Sequence, residues 1–215
     1  RIEPDKANAH YNLAVVMARQ NKHDEAIAHL RTALKVEAGD LTARYLLAQE
    51  LLKTDRVDDA LVEFSQVVQA DPNNEGALIE QVKLLYRKGK FKHALDAIRK
   101  SHAQFPQKGR TAVILAYLLA TSPELELRDG ARAFELAQRV YKTTGAPQHV
   151  ALVALSLAEL GRCDEAVEWQ RRAVEAVDQA GNADLKTKLR ADLKSFEASS
   201  CRPKGDASLT FLDTL

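Results

Sequence analysis

Ala7-Asn8-Ala9-His10-Tyr11-Asn12-Leu13-Ala14, with Asn21 after it and then Asp24-Glu25-Ala26-Ile27, decides the fold, because its pattern returns along the chain every 34 residues. In rows of that length, Ala7 to Asp40, Leu41 to Asn74 and Glu75 to Lys108, the seventh and eighth positions read Leu13-Ala14, Leu47-Ala48 and Gln81-Val82. The twentieth reads Ala26, Ala60 and Ala94, the fifteenth Asn21, Asp55 and Gly89, and the thirty-second Ala38, Pro72 and Pro106. Small residues at eight and twenty let two antiparallel helices approach closely. Asn, Asp or Gly at fifteen tolerate the left-handed backbone that ends a helix and turns the chain. Proline near the end stops the second helix. Between these marks the apolar residues keep helical spacing, as in Leu13, Val16, Met17 and then Ala26, Ile27, Leu30, Ala33, Leu34. Each row is a helical hairpin.

Outward from the first three rows the pattern persists with one irregularity. A fifth row, Pro147 to Ala180, has Gly161 at fifteen, Asp164-Glu165-Ala166 at eighteen to twenty and Ala173 at twenty-seven. The fourth, Gly109 to Ala146, is 38 residues long. With Ala116 at eight and Ala133 at twenty, its extra residues fall between the helices, in Thr121 to Gly130. Beyond Gly181, the apolar spacing of Leu185, Leu189, Leu193 and Phe196 marks an amphipathic helix suited to close the array. The opening Arg1-Ile2-Glu3-Pro4-Asp5-Lys6 reads as the end of a preceding helix and a turn.

From Ala7 to about Ala180 the pattern resembles the tetratricopeptide repeat, although the aromatic at position four is replaced by His10, Arg44, Leu78, Ala112 and Val150. The fourth row is similar to a variant found toward the C-terminal ends of bacterial repeat proteins, so a bacterial origin is expected. The resemblance implies an all-α, right-handed α-solenoid of helical hairpins with a C-terminal capping helix. Its parts are a remnant of a preceding repeat (1–6), five repeats (7–40, 41–74, 75–108, 109–146 and 147–180), the cap (181–198) and a tail (199–215).

Composition excludes several function classes. In 215 residues, 31 Lys and Arg nearly balance 30 Asp and Glu, which argues against a uniformly basic nucleic-acid binder. The longest apolar run, Ala112 to Ala120, is too short to cross a bilayer, so membrane insertion is not expected. No phosphate-cradling glycine loop, nucleophile elbow or His-Glu-x-x-His helix occurs. Six histidines (His10, His23, His29, His93, His102, His149) include no pair three or four apart, so neither metal nor cofactor is expected. Asp58-Asp59 and Asp164-Glu165 open second helices, where negative charge complements the helix dipole. The expected function is a non-catalytic protein–protein interaction scaffold. Two alternatives stay open: a self-assembling subunit stacking head to tail through an open N-terminal end, and an accessory module of a larger enzyme or transporter. Cytoplasmic and periplasmic or extracellular locations are both compatible with the sequence.

In the family, helix A positions two, five, nine, twelve and thirteen line a concave groove that takes extended peptides or partner helices. Carried over, the candidate groove residues are Asn8, Tyr11 and Arg19, then Tyr45, Gln49 and Lys53, then Lys83, Tyr86 and Arg87, and finally Arg110 and Tyr117. Tyrosine offers apolar area with a polar handle at low entropic cost, which suits a peptide carrying apolar side chains. Lys83 to Arg110 holds nine basic residues and one acid, so an acidic partner is an expectation beside the reading of a merely solvated basic face. The family's dicarboxylate clamp for chaperone tails would need Lys or Asn where Tyr11, Val15 and Leu46 stand, and Lys and Arg where Gly76 and Glu80 stand. An asparagine ladder at position six is represented by Asn12 alone. Neither scheme fits. Cys163 falls in the turn of the fifth repeat, and the cap should end on the same edge near Cys201, so a disulfide between them is expected in an oxidising compartment; two free thiols are the other reading.

Overall fold

The computed structural model describes residues 4–180, 183–198 and 201. Among them are eleven α-helices, one 3-10 turn and no strand. The helices are α1 (Pro4–Arg19), α2 (His23–Val36), α3 (Leu41–Lys53), α4 (Val57–Ala70), α5 (Glu75–Arg87) and α6 (Phe91–Gln104). They continue as α7 (Gly109–Thr121), the 3-10 turn Leu125–Leu127, α8 (Gly130–Thr144), α9 (Pro147–Glu159), α10 (Cys163–Ala180) and α11 (Ala183–Glu197). Two compact units, Arg1–Leu85 and Tyr86–Leu215, divide the chain within α5. None of the described helices is long and apolar enough to cross a membrane.

In the first unit the columns of small residues are the core. Ala14, Ala48, Ala26 and Ala60 are fully buried, and between them pack Ile27, Leu30, Leu47, Leu51 and Phe64. A leucine in place of Ala60 would have to displace a neighbouring helix, an overpacking that costs about 1–3 kcal/mol. Asn21 (φ 58°) and Asp55 (φ 59°) adopt the left-handed conformation that turns each hairpin. The Asp40 carboxylate accepts the backbone N–H of Thr42 and Ala43, and Asn74 Oδ1 that of Ala77, so the row-ending residues cap the next first helix. Residues 4–6, expected in a turn, instead form the first turn of α1; proline is accommodated there because the first helical N–H has no intrahelical acceptor. Leu13 and Val16 on α1 are 43% and 46% exposed, whereas the equivalent Leu47 of α3 is buried.

In the second unit, Gly89 (φ 69°) and Gly161 (φ 75°) make the same turn at the same register. The fourth repeat has no left-handed residue there. Its extra residues descend through the 3-10 turn, and the Asp129 carboxylate accepts the Arg132 N–H to start α8. The Arg128 guanidinium folds back from this loop, donating to the Ser122 carbonyl (2.6 Å) and pairing with Glu159 at 2.7 Å; both side chains are about 5% exposed or less. Gly130 admits the close approach of α9, since a Cβ there would lie 3.1 Å from Leu160 and 3.2 Å from Glu159. At the far end α11 lays Leu185, Leu189 and Leu193 against α10, and Gln170 donates to the Leu189 carbonyl at 2.9 Å. Cys163, the first residue of α10, is bonded to Cys201, with Cα atoms 5.4 Å apart.

Candidate functional site

The first unit keeps the expected groove positions accessible. Tyr11, Tyr45 and Gln49 are half-buried, and Asn8, Arg19 and Lys53 are exposed, carried on α1 and α3. Tyr45 is held edge-on to Phe64, ring centroids 5.5 Å apart, which fixes the phenol at the surface of the core. Gly76 on α5 leaves room for it: a Cβ at that position would meet the Tyr45 oxygen at 3.0 Å. Burial and, secondarily, the nearby Glu80 carboxylate raise the Tyr45 pKa, so its hydroxyl is a donor. Lys83, also on this unit, lies 3.8 Å from Glu80. The surface is thus a rigid aromatic and amide strip able to make both apolar and hydrogen-bonded contacts along an extended chain.

Part of the charge on this strip is matched within the chain. Lys53 pairs with Glu50 at 2.7 Å, and the Glu50 side chain is fully buried, with its other oxygen 2.7 Å from His23 Nδ1. The basic residue at position thirteen of the second repeat is therefore matched locally by an acid. Sequence reading missed Glu50, yet a signal existed: position ten holds Val16, Leu84, Leu118 and Ser156 in the other rows, so a carboxylate there is out of pattern. The Glu159 pair could be found the same way, as the acid at position thirteen where Arg19, Lys53 and Arg87 are basic.

Two candidate residues need correction. Tyr86 and Tyr117, expected on the open surface, are 1% and 2% exposed. Tyr86 is packed edge-on against Phe91 at 4.6 Å, because the third row places an aromatic in the turn beside it. Tyr117 belongs to α7, in which every residue from Thr111 to Thr121 is buried. Arg87 and Arg110 remain exposed. Arg110 borders a cleft of about 240 Å³ among Val113, Val140, Thr143, Thr144, Gln148 and His149. That volume lies below the usual range for small-molecule sites and matches a side chain more nearly than a cofactor. Nearby, Arg139 donates to His102 Nε2 at 3.0 Å, which leaves the His102 proton on Nδ1 facing the Thr111 oxygen at 3.3 Å. Burial, Arg139 and Arg132 all lower the His102 pKa. Among the described residues no group of three or more His, Cys, Asp or Glu could hold a metal ion.

The repeat register, the left-handed turns and the paired helices define the fold of a tetratricopeptide-repeat solenoid. The tetratricopeptide repeat family model matches residues 17–78. Among solved structures, a tetratricopeptide repeat protein from Parabacteroides merdae aligns with a TM-score of 0.71 at 14% identity, over 97% of this chain and 84% of that one. MamA from Desulfovibrio magneticus RS-1 aligns at 0.66 and 18% identity, over 85% of this chain and all of that one. YrrB, described as a tetratricopeptide protein with an unusual peptide-binding site, aligns at 0.64 and 16% identity, over 85% and 90%. At these identities the likeness concerns the fold. No curated protein matches the chain.

Proposed function

We propose that this chain is a non-catalytic interaction scaffold that binds an extended peptide segment of a partner protein along the α1 and α3 surface of its first unit. The observation that carries this reading is the contrast between a rigid base and an accessible face: Tyr45 is locked by Phe64 and Gly76, yet with Tyr11 and Gln49 it stays partly open to solvent. Side chains positioned before binding lose little entropy on binding, and aromatic anchors supply most of the energy of such contacts. The peptide-binding site named for YrrB, a neighbour in fold, is consistent with this use of the architecture. Because Glu50 and Glu80 lie beside Lys53 and Lys83, the peptide that fits is mixed apolar and polar rather than strongly acidic. Hydroxyl-radical footprinting with a peptide selected from a random displayed library tests the assignment. Tyr11 and Tyr45 become protected while Tyr141 does not; protection confined to other regions overturns it.

A second reading has its own observation. Exposed Leu13 and Val16 form an apolar patch on α1 that a second copy could cover. Sedimentation velocity across a concentration series detects this as growth in size that Leu13→Asp with Val16→Asp abolishes; a wild-type monomer at all concentrations removes the reading.

A further inference from the structure

In the first unit the residue that ends one row caps the helix that opens the next. Asp40 does so for α3 and Asn74 for α5, each through a side-chain oxygen that accepts first-turn N–H groups. In the second unit the row-ending residues are Lys108 before α7 and Ala146 before α9, and neither side chain makes a capping hydrogen bond. The first-turn N–H groups of these two helices therefore lack the side-chain acceptor that α3 and α5 have, at the ends where the helix dipole favours negative charge.

Both helix starts open onto the same cleft. Gly109 and Arg110 of α7 and Gln148 and His149 of α9 line its space of about 240 Å³, together with the last turn of α8. Gly145, at φ 62°, ends α8, and Pro147 starts α9 two residues later, which brings Thr144 and His149 together. The Thr144 hydroxyl oxygen lies 2.6 Å from His149 Nδ1. The Val140 carbonyl, 3.1 Å from that oxygen, already accepts the Thr143 hydroxyl at 2.7 Å, so the Thr144 hydroxyl donates to the ring. A neutral imidazole that accepts at Nδ1 carries its proton on Nε2. Burial lowers the His149 pKa and keeps the ring neutral. His149 is 9% exposed, and among the described residues no group accepts from Nε2. Arg110 is exposed and makes no ion pair among the described residues. Val113 and Val140, 2% and 5% exposed, give the cleft an apolar wall.

We propose that this cleft binds the carboxylate of a glutamate side chain presented by a partner protein, which supplies to α7 and α9 the acceptor that Asp40 and Asn74 supply within the chain. A carboxylate already performs this task at Asp40, where it accepts from Thr42 and Ala43. Arg110 provides the opposite charge, and the His149 Nε2–H and the Gln148 amide provide donors beside it. The valine wall suits the methylenes of glutamate. A phosphate fits less well, because Arg110 is the only cation among the described lining residues and would leave part of a double charge unmatched against an apolar wall. The site lies wholly in the second unit and shares no residue with the Tyr11, Tyr45 and Gln49 surface.

The test titrates N-acetylglutamate methylamide, a capped glutamate, into the full-length, 15N-labelled protein and follows the backbone amides by NMR. Saturable shifts appear at residues 109–111 and 148–150, and the capped glutamine produces none. Arg110→Gln weakens binding about tenfold, as loss of a charge-assisted hydrogen bond does; the residue is exposed, so the variant keeps the fold. His149→Phe keeps a ring in place, removes Nε2–H and weakens binding as well, with unchanged helicity as its control. Absence of saturable shifts at these residues, equal affinity for the capped glutamine, or unchanged binding by Arg110→Gln overturns the proposal. Tighter binding of inorganic phosphate overturns it too, as does tighter binding of N-acetylalanine, whose carboxylate is a chain end. Tyr45→Ala leaves the titration unchanged, so failure here and failure of the first-unit site are read separately.

Discussion

Replacing Arg128 by methionine tests the idea that the inserted loop of the fourth repeat is tied to α9 by charge. The guanidinium lies 2.7 Å from the Glu159 carboxylate, and both side chains are about 95% buried or more. At an effective dielectric constant of about 20, charges at that distance attract by roughly 6 kcal/mol before desolvation is counted. Desolvation consumes most of that attraction, so the pair as a whole contributes little. Its separation is another matter, because Arg128→Met leaves the Glu159 carboxylate buried without the guanidinium. Loss of the donor to the Ser122 carbonyl adds about 1 kcal/mol. Urea denaturation at pH 7 should therefore show a loss of about 4–5 kcal/mol. The double variant Arg128→Met with Glu159→Leu should recover to within about 1–2 kcal/mol of wild type. A single-variant loss under about 1 kcal/mol would show that solvent reaches the carboxylate and would refute the reasoning.

Other outcomes follow from the same geometry. Gly76→Ala should gain less than the roughly 1 kcal/mol that helix propensity alone supplies, because the added Cβ meets Tyr45, and it should weaken peptide binding to the first unit; equilibrium unfolding and anisotropy measure both. His102 has a folded pKa below its unfolded value of about 6.5, so as pH falls through that value the unfolded chain takes up the proton first. Stability of the second unit is then lost progressively below about pH 6.5, and His102→Gln should flatten that part of the pH–stability curve. With its cysteines 38 positions apart, the disulfide contributes up to about 4 kcal/mol in the chain-entropy model; reduction should loosen α11 first, seen as faster amide exchange in residues 183–197. Thiol titration of unreduced, denatured protein from the native host should find no free thiol, which would place the chain in an oxidising compartment.

Much of the fold was legible because its determinants are local. Asn21, Asp55, Gly89 and Gly161 occupy one register and all adopt positive φ, and Ala26, Ala60, Ala94, Ala133 and Ala166 at position twenty are all fully buried. The resemblance to the tetratricopeptide repeat rested on these columns, and the family match and fold neighbours agree with it. The candidate site was less legible. Position in a repeat tells which side of a helix a residue occupies, but not what lies over that side, so Tyr45 and Tyr117 looked alike in sequence and differ in exposure. The pairing of Lys53 with Glu50 was not legible for a related reason: it depends on a carboxylate held in the core by His23 and Lys53 together, a three-body arrangement with no fixed spacing.

The claim that the first unit is a peptide-binding surface is tested most directly by affinity. A peptide selected against the intact chain is titrated by fluorescence anisotropy into wild type, into Tyr45→Ala with Gln49→Ala, and into a control altered at Arg31 and Lys35, exposed residues of α2. The account predicts that the groove variant loses at least tenfold in affinity, about 1.4 kcal/mol, with helicity unchanged, while the control binds as wild type. Unchanged binding by the groove variant, or a loss confined to the control, would contradict it.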